Sequence, residues 1–138
     1  CVKTEFWLVE RIIKPIRAFM VTFSEINAKN ATVVIGDNCD IASFVAINTA
    51  DSHKRCINLC EKIDRKPITI ENNVFIGSHS VIKGGAKIGH YSVIASGTKV
   101  EGENIEPYSL FTGNPMNLKK GYYNNFILEK MIQYNRPE

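Results

Sequence analysis

From Thr32 onward an aliphatic residue recurs at every sixth position. The series runs Ile35, Ile41, Ile47, breaks, and resumes as Ile70, Ile76, Ile82, Ile88, Ile94 and Val100. The position two residues earlier holds only small or β-branched side chains: Val33, Cys39, Val45, Ile68, Val74, Ser80, Ala86, Ser92 and Thr98. The position just after the aliphatic is often tiny, as at Gly36, Ala42, Gly77, Gly89 and Ala95. Turn-type pairs then follow, such as Asp37-Asn38, Asn72-Asn73 and Gly84-Gly85. Neither a helix nor a hairpin sheet has a period of six. A β-solenoid does. Alternate residues of a short strand point inward and the next residues turn a corner. Three such hexads close one triangular coil of about 18 residues. The competing architecture is an antiparallel sandwich, whose loops vary in length and do not hold one phase. The pattern therefore predicts an all-β solenoid.

Residues 33–49 supply about one coil and 66–101 about two, with a degenerate coil around 17–30. In that first coil Val21 and Phe23 fall in phase, whereas Asn27 and Lys29 do not. Between the regular runs lies an excursion, residues 50–66, containing Asp51-Ser52-His53-Lys54-Arg55. Insertions into solenoids tend to form binding faces. Residues 4–20 carry Phe6, Trp7, Leu8, Ile12, Ile13, Ile16 and Phe19, which predicts a helix bent or stopped near Pro15. Residues 121–134, with Tyr122, Phe126, Ile127, Met131 and Ile132, predict an amphipathic helix. Both helical segments are expected to cap exposed strand edges. The division that follows is a helical or degenerate-coil segment at 1–30, the solenoid at 31–105 with its loop at 50–66, and a C-terminal extension with a helix at 106–138.

Composition narrows the function classes. At 138 residues, 44% hydrophobic and 22% charged, the chain suits one globular domain rather than a disordered segment. No apolar run approaches the roughly 18 residues of a membrane span. A net charge of +3 is far from the clustered excess of a nucleic-acid binder and suits a small anionic ligand. The four cysteines, Cys1, Cys39, Cys56 and Cys60, are too sparse for a disulfide scaffold, so reduced thiols and a cytoplasmic setting are expected. The first residue is not Met and no export signal is visible; a processed or trimmed chain is the expectation.

Several stretches carry a family resemblance. They are Ile35-Gly36-Asp37-Asn38, then Lys66-Pro67-Ile68 leading to Val74-Phe75-Ile76-Gly77-Ser78. Ile88-Gly89, Ile94-Ala95-Ser96-Gly97 and the closing Gly113-Asn114-Pro115 complete them. Over about residues 32–120 the chain resembles the hexapeptide-repeat acyltransferases, in the galactoside/maltose O-acetyltransferase and polysaccharide acetyltransferase branch. The resemblance implies a left-handed parallel β-helix and a homotrimer with acetyl-CoA in the groove between neighbouring solenoids. It also implies a general base in the excursion loop, which by position is His53. Imidazole titrates near neutrality and suits deprotonation of a sugar hydroxyl. By the same resemblance Gly77, Ser78, Ala95 and Ser96 meet the pantetheine, Phe75 stands where many members place Trp, and Lys120 or its neighbour Lys119 meets CoA phosphate. Thr22 and Ser24 align with an acceptor-orienting stretch that carries Asn in the family. The Asp-Ser-His-Lys-Arg sequence also departs from the Thr-His-Pro type of the sugar O-acetyltransferases, so the acceptor need not be a galactoside.

The residues themselves leave alternatives. Asp51 either holds the His53 tautomer or is a solvated loop carboxylate. Lys54 and Arg55 either meet an anionic acceptor, such as a sugar nucleotide, or are ordinary loop charge. The separations between His53, His79 and His90 do not match the zinc-binding pattern of γ-class carbonic anhydrases, which share this fold. His79 and His90 face outward by phase. His53, Cys56 and Cys60 fall at i, i+3 and i+7 without an evident fourth ligand, and no metal is expected. Cys39 occupies an inward slot. The expected function is acetyl-CoA-dependent acetylation of a sugar hydroxyl or amine in glycan or surface-polysaccharide biosynthesis; the alternative from another class is a non-catalytic scaffold or regulatory solenoid.

Overall fold

The computed structural model describes residues 12–13, 19–20, 23–114 and 117–134. Three stacks of very short strands form three faces. The first face carries Ile12–Ile13, Val33–Ile35, Ile68–Ile70, Lys87–Ile88 and Asn104–Ile105. The second carries Phe19–Met20, Asp40–Ile41, Phe75–Ile76, Val93–Ile94 and Leu110–Thr112. The third carries Glu25–Asn27, Ala46–Asn48, Val81–Lys83 and Lys99–Val100. Within each face these strands pair in parallel, and each pass of the chain adds one strand to each face. Phe75 pairs with Val93, and Ile82 with Val100, the partner lying three hexads further along in both cases. The arrangement fits a left-handed parallel β-helix.

The hexad slots are the core. Ile35, Ile70, Ile88 and Ile105 are stacked by the register of the first face, as are Ile41, Ile76, Ile94 and Phe111 on the second. Ile26, Ile47, Ile82 and Val100 form the third column, and every member of the three is buried. Each such side chain contributes about 1.5–3 kcal/mol through burial. The small slots two residues earlier lie at the corners, where Ser80, Ser92, Thr98 and Ser109 are fully buried. The hydroxyls of Ser80, Ser92 and Thr98 are paired with backbone of a neighbouring coil, as in Ser80 Oγ to Ala95 O at 3.1 Å and Ser92 Oγ to Glu106 O at 3.2 Å, while Ser109 Oγ donates to Pro107 O in its own coil. Cys39 is likewise buried, and desolvation pushes its thiol pKa up. Gly77 is small for a steric reason: a Cβ there would lie 2.5 Å from the backbone nitrogen of Ser96 in the next coil.

Corner residues repeat as well. Asn38, Asn73, Tyr91 and Tyr108 adopt left-handed backbone at one corner, and Phe23, Phe44, His79 and Gly97 at the next. Stacking the coils stacks these side chains. The rings of Phe23 and Phe44 lie 5.2 Å apart, those of Phe44 and His79 4.9 Å, and those of Tyr91 and Tyr108 5.4 Å.

Three expectations are corrected. The described part of the stretch predicted as an N-terminal helix, Ile12–Ile13 and Phe19–Met20, is strand paired to the following coil; the rest of 4–20, Trp7 included, lies outside the described residues. Phe23 is not an inward residue. Met20 and Ile26 fill the core slots of the first coil. Met20 pairs with Ile41, a longer step than three hexads, and the extra residues shift the phase by half a hexad. A turn closed by Ala31 N–H donating to Ala28 O lies in that longer coil. Val21 lies outside the described residues. At the other end the coil does not stop at 105: a shortened step from Val100 to Ile105 resets the phase, and Phe111 fills the next slot. A helix does form at Asn124–Tyr134, but Phe126, Leu128, Met131 and Ile132 on it stay exposed, so it buries little against the solenoid.

Candidate active site

The excursion leaves the coil at the corner after the third face. Ala50–Asp51 pairs antiparallel with Asp64–Arg65, and Lys66 N–H donates to Thr49 O at 3.0 Å where the loop closes. Between these arms His53–Cys56 makes a single helical turn. Asp51 anchors its start. One carboxylate oxygen, Oδ1, accepts the backbone N–H of His53 at 3.2 Å and lies 2.5 Å from His53 Nδ1. The other, Oδ2, accepts from Lys83 Nζ at 3.2 Å, reaching over from the next coil. These contacts, the His53 ring first, hold the Asp51 carboxyl far below the usual carboxylate range. A carboxylate facing Nδ1 assigns the proton to that nitrogen and leaves the Nε2 lone pair free to accept one.

Beside this pair is a cavity of about 240 Å³, lined by Asp51, His53, Lys54, Lys66, Lys83 and Glu101, among others. Lys54 is ion-paired with Asp64 at 3.3 Å, and Glu101 with Lys99. Lys66 has no carboxylate partner among the described residues. Lys66, Lys83 and Glu101 are site residues that the motif reading passes over. For Lys83 and Glu101 a signal was nonetheless present: with Asn48 they replace the Gly or Ala that most often follows the core aliphatic, and all three fall at the corner that launches the loop.

Arg55 does not join this cavity; it lines a separate depression with Asn58, Leu59, Cys60 and Glu61. Ser24 is buried, its hydroxyl donating to Ala42 O at 2.7 Å and accepting from Val45 N–H at 3.3 Å. It serves the coil corner and is withdrawn from the acceptor-binding set. Thr22 and Pro115 lie outside the described residues.

The residues expected to meet the donor stand at other places on the frame. Gly77, Ser78, Ala95 and Ser96 occupy the corner after the second face. The N–H groups of Gly77 and Ala95 are taken up by Ile94 O and Phe111 O, at 2.8 and 2.9 Å, within the coil stack. Phe75 points outward from the second face, in register with Val93, Leu110 and Lys119. At strand spacings of about 4.8 Å that lane runs roughly 14 Å from an aromatic ring to a cation. Lys119 Nζ sits 5.5 Å from the centre of the Tyr122 ring, and Lys120 pairs with Glu106 at 3.0 Å.

The three histidines stand at three different corners. His79 stacks on Phe44, and His90 Nδ1 lies 2.9 Å from Glu71 Oε2. Cys60 accepts the Lys62 N–H at 3.4 Å on the Arg55 side of the loop. Among the described residues no group of three or more His, Cys, Asp or Glu converges as a metal site.

Residues 67–102 match the family model described as bacterial transferase hexapeptide (six repeats). Among solved structures, a hexapeptide-repeat acetyltransferase of Vibrio cholerae, complexed with acetyl-CoA, is 27% identical with a TM-score of 0.68. The match covers 80% of this chain and 58% of that one, so the chain spans less than two thirds of its length. A maltose O-acetyltransferase of Clostridium difficile is 27% identical, with 80% and 65% of the two chains covered and a TM-score of 0.58. A galactoside acetyltransferase in complex with coenzyme A is 28% identical, with 84% and 67% covered and a TM-score of 0.56. No curated protein matches the chain. The chain thus resembles the hexapeptide-repeat acyltransferases in both sequence pattern and fold.

Proposed function

We propose that this protein is an acyltransferase that moves the acetyl group of acetyl-CoA to a sugar hydroxyl or amine. The observation that carries the reading is the His53–Asp51 pair, with its free Nε2 beside a polar cavity. His53 takes the proton of the acceptor, whose oxygen or nitrogen attacks the thioester directly. Asp51 keeps the imidazole in the accepting tautomer and stabilises the imidazolium that forms. The N–H groups of Ser78 and Ser96 are the candidate partners of the donor or of the developing oxyanion. The lane from Phe75 through Val93 and Leu110 suits an extended, partly apolar arm, and Lys119 or Lys120 suits a phosphate at its end. Lys contributes a point charge there rather than a bidentate fork.

His53 and the Ser78–Ser96 corner lie on different edges of one coil. A homotrimer, in which the loop of one copy meets the donor corner of the next, joins them. The exposed stacked rings of Phe23 and Phe44 favour such an assembly, being 74% and 49% exposed in the single chain. A left-handed winding and a place in glycan or surface-polysaccharide biosynthesis rest on the family resemblance, and a cytoplasmic setting on the sparse cysteines. Calorimetric titration of acetyl-CoA, with the oligomer mass measured on the same sample, tests the reading. Saturable binding at about one site per subunit of a trimer supports it; a folded trimer that takes up no acetyl-CoA favours the scaffold reading instead.

A further inference from the structure

Lys83 closes the third face, where register places it beside Asn48, shortly before Asp51 in the chain. Its backbone belongs to the rigid coil and its ammonium reaches out of it, 3.2 Å from Asp51 Oδ2. The side chain is 34% exposed, the same as that of Asp51, while His53 is 61% exposed on a single helical turn. Of the His53–Asp51 pair, it is the carboxylate that is tied to the coil, and Lys83 is the tie. The Lys54–Asp64 ion pair, by contrast, joins the loop only to itself.

We propose that Lys83 is the positioning residue of the site: it fixes the Asp51 carboxylate against the coil and thereby sets both the aim of the His53 imidazole and the charge that the ring faces. This rests on the reading of His53 as the base. Electrostatics give the sign. A cation on Oδ2 offsets part of the negative charge that the imidazolium would otherwise feel. The other charges around the cavity are Lys54, which is balanced by Asp64, Glu101, which is balanced by Lys99, and Lys66. Removing Lys83 leaves the Asp51 charge uncompensated, so protonated His53 becomes more favourable.

The test compares Lys83→Met and Lys83→Arg with the parent by two readouts. One is the pH profile of kcat/KM for acetyl transfer. The other is the titration of the His53 ring followed by NMR, which needs no substrate. In Lys83→Met both the acid limb and the ring titration are expected to move up by about half to one pH unit. Turnover is expected to fall about three- to tenfold as the ring loses its alignment, and Lys83→Arg is expected to restore both. A ring titration that does not move in folded Lys83→Met overturns the proposal, whatever the activity does, because a purely structural lysine changes stability and not the titration. Should Lys83→Met fail to fold, the near-isosteric Lys83→Gln is read in the same way. If the ring titration moves but turnover shows no limb that follows it, the role of Lys83 stands and the reading of His53 as the base fails.

Discussion

Two histidines in this protein grip a carboxylate in the same manner. Oδ1 of Asp51 takes both the backbone N–H and Nδ1 of His53, and Oε2 of Glu71 takes both the backbone N–H and Nδ1 of His90, the latter two at 2.9 Å. Each carboxylate also has a lysine on its other oxygen, Lys83 at 3.2 Å and Lys87 at 3.7 Å. The surroundings differ. Asp51 lies two residues from its histidine in a loop outside the repeat, whereas Glu71 lies 19 residues away and bolts one coil to the next. His53 lines a polar cavity; His90 packs at steep angles against the rings of Tyr91 and Tyr108, with centroids 6.0 and 5.2 Å away. The same three groups thus serve as a candidate catalytic relay at one corner and as a fastener at another. What separates the two roles is what surrounds the ring, a cavity or packed tyrosines, not the bond between histidine and carboxylate.

The largest effect expected is on turnover. His53→Ala should lower kcat for acetyl transfer by about 10²- to 10⁴-fold with acetyl-CoA affinity retained, while His90→Ala should stay within about twofold of the parent. Similar losses in steady-state assays of both variants would erase the distinction. Next is Ile76→Ala, in the core column of the second face. Denaturant unfolding should show a loss of about 2–5 kcal/mol, and the acid limb of the remaining activity should keep its place. A limb that moves would mean the packing, not the charges, governs His53.

Smaller again is Phe75→Ala on the outer face of the same strand. Stability should change by less than about 0.5 kcal/mol, while the KM for acetyl-CoA rises about three- to tenfold as the apolar contact is lost. An unchanged KM would take the Phe75 lane out of the donor site. The smallest effect concerns Glu71. Its hydrogen bond from the His90 ring, foremost, holds its carboxyl below the ordinary range against the opposing pull of desolvation. A depressed folded pKa adds stability that is present above the unfolded carboxylate range and disappears as pH falls through the folded one. Glu71→Gln should therefore cost at most about 1 kcal/mol at neutral pH, since the pair is only half-buried and solvent screens it. The gap in thermal stability should close in acid; a gap that persists at low pH would assign Glu71 a role other than charge.

Much of this frame was legible beforehand, because a hexad repeat writes each buried column into the chain. Every aliphatic slot from Ile35 to Val100 is in the core. The phase failed where the coil changed length. Extra residues near Ala28 moved the inward set to Met20 and Ile26, and a shortened step delivered Ile105 and Phe111. No local residue pattern announces such slips; only pairing with the neighbouring coil does. Site residues divided along the same line. His53 and Asp51 are close in sequence and so could be read together. Lys83 meets them only through strand register, 32 residues from Asp51. Ser24 went astray because an in-line alignment says nothing about which way a hydroxyl points.

The excursion has one more consequence. Its two arms return the chain to the corner it left, and the registers above and below it are undisturbed: Val33 still finds Ile68, and Ile47 still finds Ile82. Whatever is spliced in at this corner is thus a cassette on an indifferent chassis. If the proposed transferase reading holds, transplanting this one short segment between such proteins is expected to change the chemistry at the corner with no change to a single core residue, provided that the graft keeps its carboxylate within reach of the lysine on the neighbouring rung.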